Sequence, residues 1–236
     1  MIDDSITLTE RLKVLYLFSG RVRKSGLGSC LKRQAKEKGV KVEVKEVDII
    51  RGRKHNMLSK AARSKLIVEI DQGMYDIVVA SPPCSSFSRA RSSGKSGPMA
   101  LRSRKFPLGF PWLRRKAKAT VRDANILIEF AQTALLIQAA RGGQLLLEHP
   151  EDLGITKTSE FPASIWQGAP VQQLLEHDGV VWGACRQSEW GADFSKPTRL
   201  LGRLSGLTSL LRGGPPTFDD SGKYSGLFCR RPRGRN

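Results

Sequence analysis

Lys13 to Phe18 is a short apolar run rich in strand formers, closed by Ser19-Gly20, and predicts a buried strand. A basic loop with Gly26 and Gly28 follows, then a helical stretch reaching Gly39. Val42 to Val47 alternates valine with charge and ends at Asp48, which predicts a second strand. Between Met57 and Asp71, Leu58, Ala61, Ala62, Leu66 and Ile70 recur at helical spacing, and Gly73 marks the stop. Asp76 to Ala80 predicts a strand that runs directly into Ser81-Pro82-Pro83-Cys84. Val121 to Ala140 is the clearest helix, Gln144 to Glu148 another buried strand, 163–176 a helix and 179–184 a strand. After Leu201 the pattern frays into Gly, Pro, Ser and Arg.

Strands alternating with helices predict an α/β fold, a mostly parallel sheet with helices on both faces. Residues 1–202 read as one domain carrying a long basic loop at 85–119. Residues 203–236 read as a basic, Gly/Pro-rich tail expected to be poorly ordered. Ligands in such sheets bind at the carboxyl edge, and the unusual residues fall there: Phe18-Ser19-Gly20, Asp48, Ser81 to Cys84, and Glu148-His149-Pro150.

Composition supports a packed core and excludes disorder throughout: 236 residues, 39% hydrophobic and 26% charged. No apolar stretch approaches a membrane span, and the acidic start Met1-Ile2-Asp3-Asp4 carries no secretory signal. The expected location is therefore intracellular, nucleus or cytoplasm, and not secreted. Cysteines 30, 84, 185 and 229 form no CxxC pair, which argues against a disulfide framework and a zinc site.

Charge changes the picture most. The formal net charge is +18, a field that attracts polyanions and above all nucleic acid. Residues 89–118 carry ten basic side chains and no acidic one. The segment from Arg199 onward adds eight basic against two acidic.

Candidate chemistry centres on Cys84, a thiol stiffened by two prolines and trailed by Arg89; nearby cations favour the nucleophilic thiolate. A phosphatase loop is excluded, because Cys84 and Arg89 bracket four residues instead of five. Glu148 ends an apolar strand, where desolvation raises a carboxyl pKa; pairing with one of the many cations is the plainer alternative. Asp48 suits a ribose hydroxyl or a simple helix cap equally. Gly20, Gly26 and Gly28 do not spell a dinucleotide fingerprint.

Leu17-Phe18-Ser19-Gly20, then Asp76-Ile-Val-Val-Ala-Ser-Pro-Pro-Cys84 with Phe87-Ser88, then Leu146-Leu147-Glu148-His149-Pro150, together resemble the DNA cytosine-5 methyltransferases. The likeness runs from about residue 13 to 202. It is closer to a divergent, shortened branch sharing Gly97-Pro98, Phe110-Pro111-Trp112, Glu148 to Asp152 and Lys196 to Leu200. The resemblance implies a Rossmann-like, S-adenosylmethionine-dependent fold and a target cytosine flipped into the pocket. It implies Cys84 as the nucleophile on ring carbon 6 and Glu148 as the acid at ring nitrogen 3. Phe18, Ser19, Gly20 and Pro82 fall where the family holds the cofactor, Asp48 at its ribose and Asn56 nearest its adenine. Asp76 and Pro83 fall on the loop that presents the thiol.

The sequence departs from the family at several points. Gly20 is followed by Arg21-Val22-Arg23, Ser85 follows the cysteine, and His149 stands where asparagine is usual. The family's Gln-x-Arg-x-Arg segment is matched only loosely by 187–191, and 37 residues follow Arg199, too few for the usual target-recognition domain. Nucleic acid, DNA first, is the expected partner, with a second chain as a source of target recognition. Within this chain the acid-free loop is the candidate surface. Arg89, Arg91, Arg102, Arg104, Lys105, Arg114 and Arg115 would meet phosphate, with Trp112 and Phe110 stacking on bases. Two other readings stay open: a nucleic-acid-binding relic with a decayed cofactor site, and the same chemistry on RNA.

Overall fold

A computed structural model describes residues 11–92, 98–156, 161–193, 196–212 and 214–226. The elements run β1 (Leu12–Leu17), α1 (Leu27–Glu37), β2 (Val42–Val47), α2 (Lys60–Asp71), β3 (Ile77–Ala80), α3 (Arg115–Ala140), β4 (Gln144–Pro150), α4 (Ala169–Leu175), β5 (Val181–Arg186), β6 (Pro197–Arg203) and α5 (Leu207–Leu210). The six strands form one sheet in the order β2-β1-β3-β4-β6-β5. β2, β1, β3 and β4 pair in parallel, and β6 runs antiparallel between β4 and β5. This is the mostly parallel, Rossmann-like α/β architecture that the alternating pattern predicts.

Alternation along the strands sorts the two faces. Leu15, Leu17, Val47, Val78, Ala80, Leu145, Leu147 and Leu201 join one buried cluster with Leu66 and Ile70 of α2, Ile128, Phe130 and Leu135 of α3, and Val171 and Leu174 of α4. Each fully buried leucine there contributes about 1.5–3 kcal/mol. Glu46, next to inward-facing Val47, points to the opposite face, where Gly28 of α1 lies so close that an added Cβ would sit 2.6 Å from its Oε1. Helices therefore cover both faces.

Several boundaries differ from the sequence reading. α2 starts at Lys60 because Ser59 caps it, its hydroxyl accepting from the Ala62 amide at 3.4 Å. α3 begins at Arg115, so the last residues of the basic loop are helical. The single helix expected over 163–176 divides into a short turn at Ile165–Gln167 and α4, with Gly168 and Pro170 at the break. β6 has no counterpart in the sequence reading. It begins at Pro197, the one strand position where a missing amide costs nothing, and it carries Gly202, where a Cβ would meet the Leu145 carbonyl oxygen at 2.3 Å. The tail is also more organised than expected: α5 forms, Arg212 exchanges backbone hydrogen bonds with Ala184, and the Gly222 carbonyl accepts from Ile155 at 2.9 Å. Residues 227–236 of that tail, with Cys229, lie outside the described residues.

Candidate functional site at the carboxyl edge of the sheet

The sheet register brings four separate sequence segments into one row. Leu17 stands beside Val47 and beside Ala80, and Ala80 stands beside Leu147. The next residue in each segment is Phe18, Asp48, Ser81 or Glu148. Parallel pairing thus places the candidate residues together because each lies one step past the same level of the sheet.

On the β1–β2 side the backbone turns sharply. Phe18 takes φ 61° and Gly20 φ 68°, and a positive φ at a bulky residue such as phenylalanine is a strained conformation that marks functional turns. Asp48 holds this turn: its Oδ2 accepts from the Gly20 amide at 2.9 Å, and its Oδ1 from the Ile50 amide at 3.0 Å. Arg51 closes it from outside, donating to the Gly20 carbonyl at 2.9 Å and to Glu46 at 2.8 Å. Sequence reasoning missed Arg51, which lies in a basic stretch with nothing to single it out.

A cavity of about 310 Å³ opens here, lined by Phe18, Asp48, Asn56, Ser81, Pro83 and Leu127 among others. Asp48, Asn56 and Phe18, three of the residues that the resemblance assigns to the cofactor, all line it. Ser19 and Gly20 sit on the adjoining turn, whereas Pro82 is buried and Pro83 takes its place in the wall. The Ser19 hydroxyl is buried without a hydrogen-bond partner. A carboxylate whose two oxygens each keep an acceptor site, the Asn56 amide and apolar walls fit an amino-acid-bearing nucleoside such as S-adenosylmethionine, with the orphan Ser19 hydroxyl on the adjoining turn.

Pro83 faces this first cavity and Cys84, the next residue, faces a second one of about 240 Å³. Cys84 opens a tight turn, its carbonyl accepting from Phe87 at 2.9 Å. Glu148 is not a desolvated free acid: Lys196 Nζ bonds its Oε1 at 3.1 Å. Lys196, which the sequence singled out only as the start of the shared stretch to Leu200, lines the Cys84 cavity.

His149 is 1% exposed and meets the rings of Phe87 at 5.3 Å and Trp166 at 6.4 Å edge to face. Burial, with lesser contributions from the charges of Lys196 and Arg102, pushes its pKa down to about 3. The imidazole is therefore neutral and too weak a base to draw the proton from Cys84. Its Nε2 has no partner, a loss of order 1–3 kcal/mol for a buried polar group. Beyond it, Arg199 and Glu151 form a buried two-pronged pair at 3.0 and 2.8 Å. Burial pushes the Glu151 carboxyl up, and the Arg199 guanidinium offsets this.

The eight residues expected to meet nucleic acid divide into three groups. Arg102 is buried, bonding Ser86, Asn125 and the Pro107 carbonyl and stacking 3.9 Å over Phe87; desolvation lowers its pKa to about 10. Arg89 donates to the carbonyls of Gly154 and Ile155. These two brace the cavity wall, because their guanidinium groups donate to protein oxygens on several segments, with the buried Arg102 Nε left without a partner. Arg91 is partly committed to the Ser85 and Met99 carbonyls, and Arg104 leans on Phe161 and Phe218. Lys105, Trp112, Arg114 and Arg115 stay exposed. Trp112, 61% exposed, stacks on Phe110 at 4.7 Å and 9°.

The fold likeness is to methyltransferases. The S. pombe Dnmt2 methyltransferase shares 16% identity, with 82% of this chain and 51% of that chain covered and a TM-score of 0.37. The Entamoeba histolytica methyltransferase EhMeth shares 11%, with 88% and 57% covered and a TM-score of 0.38. The chain spans about half the length of these structures, and likenesses this remote carry no functional weight. No family profile matches the chain, and no curated protein does. Among the described residues, no helix is long and apolar enough to cross a membrane.

Proposed function

We propose that this chain transfers a methyl group from S-adenosylmethionine to carbon 5 of cytosine in nucleic acid, DNA first, through a covalent Cys84 adduct. The observation that carries the reading is the placement of Pro83 and Cys84, consecutive residues lining two neighbouring cavities. One cavity has the polar and apolar groups to hold a nucleoside cofactor, and the other presents a thiol. Bound in the first, the cofactor supplies an electrophilic methyl group.

Asp48 would hold the ribose hydroxyls, Phe18 and Asn56 the cofactor's flanks, and the Ser19 hydroxyl a polar group at the turn. In the second cavity the Cys84 thiolate adds to ring carbon 6. The electron pair of the carbon 5–carbon 6 bond moves to carbon 5, while ring nitrogen 3 takes up a proton from water, which the Glu148 carboxylate holds by hydrogen bonding and which returns to water when the ring is restored. Once carbon 5 has been alkylated, loss of its proton and departure of the thiolate restore the ring. The pair with Lys196 keeps Glu148 ready as a hydrogen-bond acceptor. The exposed group of Lys105, Trp112, Arg114 and Arg115 would hold the polymer.

The test is methyl transfer from isotopically labelled cofactor to DNA and to RNA, with Cys84→Ser alongside the unaltered chain. The expected outcome is labelled 5-methylcytosine from the unaltered chain and a loss of at least about a thousandfold in the variant. Transfer by the variant removes the covalent mechanism. Cofactor binding without any transfer, or no binding, favours the relic. Labelling of RNA alone changes the polymer and leaves the chemistry.

A further inference from the structure

The cavity beside Cys84 leaves one polar nitrogen over. Arg89 is spent on the Gly154 and Ile155 carbonyls and Lys196 on Glu148. Glu151 holds Arg199, Asp152 accepts from the Gly154 amide and Gln167, and the Ser164 hydroxyl accepts from the Trp166 amide. His149 Nε2 alone among these groups is buried without a partner, in a ring that lines the same cavity as the thiol. The remaining walls include Phe87, Pro150, Leu153 and Pro162, apolar surfaces suited to the faces of a planar ring.

We propose that His149 is a base-edge contact: its Nε2 hydrogen-bonds the edge of a cytosine seated against Cys84, in DNA or in RNA. This rests on the methyl-transfer reading of the same site and adds to it the residue that recognises the ring. A neutral imidazole nitrogen is either a donor or an acceptor according to its tautomer, and a cytosine edge offers both partners. The edge-to-face packing against Phe87 and Trp166 holds the ring plane before the base arrives, so little ordering is left to binding. A purely structural role explains the site less well. Phenylalanine would fill the same slot between two aromatic rings without leaving a nitrogen unpaired.

The test uses the intact chain labelled with nitrogen-15 at histidine. It is titrated with short single-stranded deoxy- and ribo-oligonucleotides containing one cytosine, and with matched oligomers carrying adenine there. The His149 resonances are assigned by their loss in His149→Phe. Expected is a shift of Nε2 with the cytosine oligomers and none with the adenine ones; a response to only one sugar identifies the polymer. His149→Phe should keep or raise the unfolding temperature while lowering kcat/KM about tenfold, with partial recovery in His149→Asn. No binding, binding without the shift, or equal shifts with adenine would overturn the inference. The two proposals fail separately: the shift without methyl transfer leaves His149 as the contact and sinks the reaction. Undiminished transfer by His149→Phe does the reverse.

Discussion

Lys196 Nζ lies 3.1 Å from Glu148 Oε1, and three residues further along each segment Arg199 grips Glu151 through two hydrogen bonds. The first pair is partly open to water, with side chains 35% and 23% exposed. The second is sealed, at 1% and 0%. The same charge chemistry therefore serves different ends: the outer pair can open for a ligand, while the inner one fixes the Glu148-to-Asp152 segment against β6.

That difference has a measurable consequence. Lys196→Ala should cost less than about 1 kcal/mol of stability, because an exposed pair gains little over hydration. Glu151→Gln should cost about 3–5 kcal/mol, because it strands a buried guanidinium. Urea unfolding of both variants decides the matter, and equal losses would contradict it.

Stability should also fall with acid in a way that reports on His149. Its pKa is lowered from the usual 6.5 to about 3, so between those values the unfolded chain binds a proton that the folded chain refuses. Stability from this residue is complete above about pH 6.5 and is lost as pH falls toward 3, by up to about 1.4 kcal/mol per pH unit. The unfolding midpoint of His149→Phe, equal to or above that of the unaltered chain at pH 7, should stand further above it at pH 5, because only the unaltered chain loses stability to protonation of this ring. Parallel curves would mean that the ring titrates normally.

The exposed aromatic and basic groups of the loop should act on nucleic acid in separable ways. Trp112→Ala should weaken binding of single-stranded oligonucleotide by about 1–3 kcal/mol and leave its salt dependence unchanged. Arg114→Gln with Arg115→Gln should flatten the salt dependence by about two phosphate contacts. Arg102→Gln should instead lower stability, since its side chain is buried. Fluorescence anisotropy across a salt series distinguishes these outcomes.

Asp48 lines the cavity that Pro83 faces and ties the β1 turn to it through the Gly20 and Ile50 amides. Asp48→Ala should lower S-adenosylmethionine affinity about tenfold or more while costing about 1 kcal/mol of stability. Titration calorimetry and thermal unfolding give both numbers. Unchanged affinity would move the cofactor elsewhere.

Much of this architecture was legible along the chain. The apolar runs ending at Phe18, Val47, Ala80 and Leu147 announced strands, and the polar residues just past them announced a site. β6 was not legible: Pro197 and Gly202 discourage a strand locally, and only the packed sheet shows that Pro197 falls on its first residue and that Gly202 lies against the Leu145 carbonyl. Nor could composition separate Arg102 and Arg89 from Arg114 and Arg115. All four stand in one acid-free stretch, and what divides them is which carbonyls the fold brings within reach.

The sequence by itself determined the order of strands and helices as far as β5, the positive charge of the loop, and Cys84 and Glu148 as candidate chemistry, because these follow from neighbours a few residues apart. Only tertiary structure decided that Phe18, Asp48, Ser81 and Glu148 share one row, that Lys196 reaches Glu148, and that His149 is left with an unpaired nitrogen. Those relationships join residues tens to well over a hundred positions apart. They depend on sheet register and burial, which are properties of the packed chain and not of any local segment.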